Sequence, residues 1–318
     1  VKKSGFVYDD VFLKHMLGPD HPESPERLTA VTRRLAATGL KRELVNLPPI
    51  SDRGLIERAI LAVHSRIHYD SVVKWGSKAE PAITAVGAVL AAVDAVMNGE
   101  VANAFCAVRP PGHHAQNHGA NCDGRYQGEG FCFFNNVAIG ARYAQAARQA
   151  SRVLIVDWDY HHGNGTEWAF YDDDSVFYFS THALYDYPIT GYPEKRGRGK
   201  GKGYNLNVPL PDKAGDGAII AAFESVLVPA LREIAFTPDL VMISAGFDSR
   251  KNDPIGTFSV TDKGFAELTR IMKGLAMVYC KGRLVSVLEG GYHPPGLAQA
   301  VAVHLRALCN GTIPRTDS

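Results

Sequence analysis

Asp157, Asp159 and His161 stand two residues apart in the run VDWDYHHGNGT, 156–166. On extended backbone, residues i and i+2 project to the same side, so two carboxylates and an imidazole would share one face. Oxygen and nitrogen donors without a thiolate suit Zn2+, Fe2+, Mn2+ or Co2+. Asp159 and His161, with one further acid from a neighbouring loop, would leave room for water and substrate on such an ion. A single Asp or His here would more simply cap a turn. Several costly polar residues crowded at one apolar strand end point instead to chemistry. His113-His114 follows Pro110-Pro111-Gly112, a stiff approach with one permissive residue. Adjacent imidazoles can divide labour, one moving protons near neutral pH and the other tuning charge. Tyr292 follows two glycines and offers a phenol that could donate to an oxyanion. Alone, a histidine pair decides little, and neither does one tyrosine among 13.

These residues need strands to carry them. Short apolar runs rich in β-branched and aromatic residues predict buried parallel strands at 104–108, 153–156, 176–179, 240–244 and 284–288. Helix-like stretches lie between them at 84–97 (stopped by Asn98-Gly99), 135–150, 217–235 and 261–279, the last capped by Thr261. The alternation predicts an α/β fold, with a mostly parallel central sheet flanked by helices on both faces, in a single domain over 1–318. Four predicted strands run straight into loops loaded with His, Asp, Tyr and Gly: 109–114, 157–165, 245–254 and 289–292. In an open α/β sheet that carboxyl edge is where ligands bind.

Composition bounds the partners. The chain has 318 residues, 46% hydrophobic and 21% charged, which excludes a disordered, collagen-like or disulfide-scaffold protein. With 34 basic and 33 acidic residues the net charge is +1, so no global field favours nucleic acid. The start lacks the apolar core of a signal peptide. The most apolar stretch, 83–97, is interrupted by Asp94 and is expected to be too short to span a bilayer. Five cysteines, an odd number with no CxxC pair, predict reduced thiols and a cytoplasmic protein with no membrane association.

The ordered series RPPGHHA (109–115), GFCFFNN (130–136), VDWDYHHGNGT, SAGFDSRKNDP (244–254) and LEGGY (288–292), together with HPESPERL (21–28), resembles the zinc-dependent histone deacetylase family. The likeness is greatest to its class II and bacterial amidohydrolase-like branch, which includes acetylpolyamine deacetylases, and it spans roughly residues 5 to 308. It implies an arginase/deacetylase-type fold and one catalytic Zn2+ held by Asp159, His161 and Asp253. It makes His114 the general base and acid, His113 its partner imidazole with Asp157 turned toward it, Asn164 the amide facing His114, and Tyr292 the donor to the substrate carbonyl. Gly130 and Phe131 match one channel wall, with Tyr192 or its neighbours opposite. K+ is implied at two places, one built from Asp157, Asp159, His161 and Ser180 and the other from Phe170, Asp173 and Val176. The implied reaction is hydrolysis of an N-acyl amine.

Several features stand apart from the family pattern. The connection 116–129, of 14 residues, is longer than usual and is expected to shape substrate access or to pack on a second subunit. Lys195 to Lys202 pack five basic residues among glycines, which reads as a solvated loop more readily than as an anion site. Ile255 occupies the place where the polyamine-selective relative carries an acidic gatekeeper. That favours acyl-lysine in a protein or peptide over an acylated small amine, unless Asp123 or Glu129 restores the charge. An arginase-type ureohydrolase would need a second metal and a GGDHS-like segment, and the chain has no such segment. An inactive acyl-lysine reader would not need the histidine pair, the ligand set and the tyrosine together.

Overall fold

The computed structural model describes residues 2–117 and 129–310. Eight strands form one sheet: β1 (Gly5–Val7), β2 (Val45–Leu47), β3 (Ala104–Cys106), β4 (Val153–Asp157), β5 (Val176–Ala183), β6 (Asn205–Leu210), β7 (Leu240–Ala245) and β8 (Leu284–Leu288). Their spatial order is β2-β1-β3-β8-β7-β4-β5-β6, and every pairing is parallel. Helices cover both faces, so β3, β4, β5, β7 and β8 are buried throughout, which explains their unbroken apolar runs.

The five strands read from the sequence are present. β5 runs four residues beyond its predicted end, to Ala183. β1 and β2 are short, and β6 carries Asn205, Asn207 and Pro209 in place of an apolar run, so none of the three reads as a buried strand from the sequence. The helix read at 217–235 is helical over Asp216–Ala222, but takes a π turn at Phe223–Leu227 before Val228–Glu233. Pro229 has no N–H to offer the ladder, and the Val228 N–H donates to the Phe223 carbonyl.

The apolar helix extends back to Glu80 and ends at Met97. With the turn before it, from Gly76, it is long and apolar enough to cross a membrane, so length does not exclude a span. Its burial decides the matter, since 67% of the 18-residue apolar window lies inside the protein. Asp94, the charge within it, accepts from Arg148 Nε (2.8 Å) and the Tyr143 hydroxyl (3.2 Å).

β3, β8, β7 and β4 are consecutive in space, and they are the four strands whose loops carry the ionisable residues. Asp157 at the end of β4 pairs in register with Ser244 of β7, and Ser244 with Val287 of β8. A common register delivers the loops after β4, β7 and β8 to one level at the carboxyl edge of the sheet, where β3 also ends.

Candidate active site

The loops after β4 and β7 bring Asp159, His161 and Asp248 together, with potential ligand atoms all within 4.8 Å of one another. All three residues are buried. His161 Nδ1 lies 3.0 Å from Asp248 Oδ2 and 3.3 Å from Asp159 Oδ1. Backbone amides aim the carboxylates: Tyr160 N–H donates to Asp248 Oδ1 (2.9 Å), and Gly290 N–H to Asp159 Oδ2 (2.8 Å). Gly290 has to be glycine, because a Cβ there would sit 2.3 Å from Asp248 Oδ2 and 2.7 Å from Asp159 Oδ2.

The group is short of positive charge. Burial, and then the Asp159 charge, push the Asp248 carboxyl up to about 7. Burial opposes a charge on His161, yet Asp159 and Asp248 outweigh it and raise the ring to about 10. Two carboxylates that draw a proton this strongly onto an imidazole have the donor chemistry of a divalent-cation site.

Asp253, expected as the third ligand, is not part of this group. Its Oδ2 accepts from the Tyr292 and His293 N–H groups (2.7 and 3.2 Å) and its Oδ1 from Ile255 N–H (3.0 Å). That carboxylate ties the loop after β7 to the turn after β8, and Asp248 takes the place beside Asp159 and His161. The sequence held a signal for this. Asp248 lies three residues past the end of β7, whereas Asp253 lies eight past it.

The histidine pair enters from the loop after β3. His113 Nδ1 lies 3.0 Å from Asp157 Oδ2, which also accepts from the Tyr178 hydroxyl (3.2 Å). Burial disfavours the His113 cation, but Asp159 and Asp157 outweigh it and hold the ring well above the usual histidine range. His114 Nδ1 lies 2.7 Å from Asn164 Oδ1, and its ring is 6.1 Å from that of His161. Burial, then the His113 and His161 rings, hold His114 well below the usual range. Two adjacent imidazoles are therefore pushed in opposite directions, His113 upward by Asp159 and Asp157 and His114 downward by burial and the two neighbouring rings.

Glu289, the first residue after β8, belongs to the LEGGY motif but has no role that the sequence alone assigns. Fully buried, it accepts from the Gly112 N–H (2.6 Å), the His113 N–H (3.2 Å) and the Ser244 hydroxyl (3.2 Å), and so fixes the backbone under the pair. His113, Cys132 and Glu289 form a second close group of possible ligands. There burial holds the Cys132 thiol well above its usual range and Glu289 is engaged by amides, so this group suits a metal less well than the first.

Gly130 and Phe131 border the site. At Gly130 (φ +52°) an added Cβ would meet the His114 ring at 2.2 Å. Phe131 packs edge-on against Tyr292 (centroids 5.9 Å) and His21 (4.5 Å). The opposite aromatic is Tyr187, 5.0 Å from His114 and 6.3 Å from His161. Tyr192, expected in that role, instead has its carbonyl engaged by the Lys195 N–H and Asn207 Nδ2. The turn ahead of Tyr292 is clamped by Arg27, whose guanidinium donates to the carbonyls of Gly291 (2.7 Å) and Glu289 and lies 5.0 Å from the Tyr292 ring centre. Ile255 is half-buried beside Asp253. Ser180 pairs in register with Asp157, its hydroxyl 2.9 Å from His182 Nδ1. Asp173 N–H donates to the Phe170 carbonyl, one turn before Val176 opens β5. Of the long connection, Gln116 N–H donates to Glu129 (2.6 Å); residues 118–128, with Cys122 and Asp123, lie outside the described residues.

The sequence model of the histone deacetylase domain matches residues 21–308. A probable deacetylase of Archaeoglobus fulgidus is 38% identical over 92% of this chain and 82% of its own length. The human polyamine deacetylase HDAC10 is 38% identical over 92% of this chain, and the histone deacetylase clr3 of Schizosaccharomyces pombe 37% over 99%. The chain spans about half the length of these two relatives, 45% and 50%. The crystal structure of the HDA15 HD domain superposes with a TM-score of 0.86 at 33% identity, covering 97% of this chain and 90% of that one. The chain belongs to the histone deacetylase family.

Proposed function

We propose that the protein hydrolyses the amide of an N-acetylated amine, most readily acetyl-lysine in a peptide or protein, at a metal centre held by Asp159, His161 and Asp248. The observation that carries this reading is an amide-oriented His114 beside three converging ligand groups. Zinc, the metal this family implies, supplies Lewis acidity toward the amide carbonyl and lowers the pKa of water when bound there.

The chain's own groups do the rest. His114 Nδ1 faces the Asn164 oxygen, which keeps a proton on that nitrogen and leaves Nε2 to take one from the attacking water. His113, anchored on Asp157 and held above the usual histidine range, disfavours a charge on His114, so the proton passes readily to the leaving amine. The Tyr292 hydroxyl donates to the carbonyl oxygen as negative charge develops. Phe131 and Tyr187 flank the acyl-bearing chain and exclude water around it.

Ile255 supports a lysine side chain over a polyamine, because it places no acid beside the loop after β7. The polyamine reading is kept as the second one, since one relative is named a polyamine deacetylase. K+ at the two places that the family resemblance implies, around Asp157–Ser180 and Phe170–Val176, and a cytoplasmic location, belong to the same proposal.

The test is turnover of acetyl-lysine peptides, acetylputrescine and acetylspermidine, with chelator and with zinc. The expected result is zinc-restored activity that favours the peptides, together with a His114→Ala protein that binds metal but loses about 10³-fold in kcat. Wild-type protein inert on the whole panel, or a fully active His114→Ala variant, would overturn the reading.

A further inference from the structure

Beside the metal group lies a groove of about 670 Å3 that the deacetylation chemistry does not use. Tyr160, Ala183, Leu184, Tyr185, Pro209 and Leu210 form much of its apolar and aromatic wall, and Asp186 and Asp212 are its charged groups. Among the described residues, no lysine or arginine lines it. Asp186 is held in place: its Oδ2 accepts from the Tyr160 hydroxyl (2.9 Å) and its Oδ1 from the Tyr187 N–H (2.7 Å). Asp212 is exposed at the opposite lip, after β6. Tyr185, 87% exposed, leaves its ring open to solvent at the rim.

The groove adjoins the site across one side chain. One face of its wall, the Tyr160 ring, packs edge-on against His161 at 4.9 Å. The residue after Asp186 is Tyr187, which packs against His114. A substrate whose acylated arm passed between Phe131 and Tyr187 would leave that gap beside the segment that carries Asp186.

We propose that the groove binds a second, positively charged group of the substrate, the ammonium or guanidinium of a residue flanking the acylated lysine. The proposal rests on the acetyl-lysine reading above and adds a determinant of which lysines are chosen. Carboxylates pair with the cation, tyrosine faces receive it by cation–π attraction, and the apolar floor takes the methylene stem of Lys or Arg. The groove also relocates the acidic recognition that Ile255 withholds. A distal ammonium of a polyamine shares this chemistry, and the experiment separates the two sources.

The experiment measures kcat/KM of the zinc-loaded protein on a blocked single acetyl-lysine, on acetyl-lysine peptides with Arg, Ala or Glu placed in turn at the two positions on either side, and on acetylputrescine and acetylspermidine. Wild type is compared with Asp212→Asn and with the Asp186→Asn/Asp212→Asn double variant, in which the carboxamide oxygen at position 186 still offers an acceptor to the Tyr187 N–H. At one flanking position Arg is expected to exceed Ala by about three- to ten-fold, the size of a part-exposed cation contact. That preference is expected to fade in the double variant and in high salt, with the blocked acetyl-lysine unchanged. Sensitivity confined to acetylspermidine would keep the groove as a cation site and assign it to a polyamine. Active wild type with no Arg preference, or a preference that survives in the double variant, would overturn the groove alone. Wild type inert on every acetyl-lysine substrate would overturn both readings.

Discussion

Two buried clusters of charge lie close together and have opposite balances. In the first, Glu23 is sandwiched by two guanidiniums. Arg109 donates through Nε and Nη2, and Arg27 through Nη1 at 2.9 Å. The arginines' remaining donors reach the carbonyls of Phe12, His15, Glu289 and Gly291. Burial opposes the Glu23 charge, but Arg109 and Arg27 hold its carboxyl down at about 2. In the second, Asp159 and Asp248 share His161, Asp159 also lies 3.7 Å from His113 Nε2, and the Asp248 carboxyl rises to about 7. The first cluster carries one excess positive charge, but every guanidinium nitrogen has an acceptor, and the cluster rivets the N-terminal segment to the turn that carries Tyr292. The second crowds an excess of carboxylate around an imidazole, the arrangement proposed above to take a metal cation. Buried charge whose hydrogen-bonding groups are all met is structural, whereas a buried excess of carboxylate marks a candidate site.

The largest effect expected from this contrast is at Asp248. Asp248→Ala should cut metal affinity and turnover by more than about 10²-fold, beyond what loss of a supporting group costs. Because it relieves repulsion with Asp159, the melting temperature of the metal-free protein should hold or rise. Asp253→Asn, which keeps an acceptor for the amides it ties, should retain one metal per chain by elemental analysis. Metal retained in Asp248→Ala and lost in Asp253→Asn would reverse the assignment.

Glu23→Ala should behave the other way, stranding two buried guanidiniums at a cost of about 3–5 kcal/mol, on the order of 10 °C in melting temperature. Metal content per folded molecule should be unchanged. A Glu23→Ala protein as stable as wild type would mean that the cluster is no rivet. Tyr292→Phe tests the turn that this cluster holds. A fall of roughly 10²-fold in kcat with little change in KM is expected from the loss of one oxyanion donor, and an unchanged kcat would remove the phenol from the mechanism.

The smallest effects are in acid. His304 is fully buried, and burial lowers its pKa to about 3, while Glu23 is held at about 2. Both folded values are depressed, so each contribution is complete above the unfolded pKa and is lost as pH falls toward the folded one. Urea midpoints should begin to fall below about pH 6.5 as His304 and the similarly depressed His15, His64 and His182 are protonated on unfolding, and steepen below about pH 4.5 when Glu23 joins. Glu23→Gln should remove the steepening and leave the earlier decline; identical curves would deny Glu23 its depressed pKa.

The sequence exposed the chemistry that follows β4 almost fully, because the two-residue spacing of Asp157, Asp159 and His161 is a local signal, although the strand itself ends at Asp157. It exposed Asp248 poorly. Two aspartates share the loop after β7, and only the three-dimensional turn decides which returns to the strand end and which ties the loop down. Tyr187 was hidden for the same reason, since the tyrosines at 187 and 192 lie on one loop and its fold selects the first. Glu289 follows an apolar strand where a carboxylate looks like a loop residue, and its partners are backbone amides that leave no trace in side-chain types. β6 was illegible because Asn205 and Asn207 turn inward to Glu167, a polar interior that imitates a surface.

The sheet order separates what must stay fixed from what can vary. Hydrolysis is assembled on four contiguous strands, β3, β8, β7 and β4, whose mutual register leaves little freedom to drift. Tyr187, Asp186 and Asp212 hang from β5 and β6 at the margin of the sheet, and of these only Tyr187 packs on His114. Descendants of such a chain can acquire new clients by editing 184–186 and 209–212 while Tyr187 is kept. A library confined to those two segments is accordingly the economical place to search for altered selectivity.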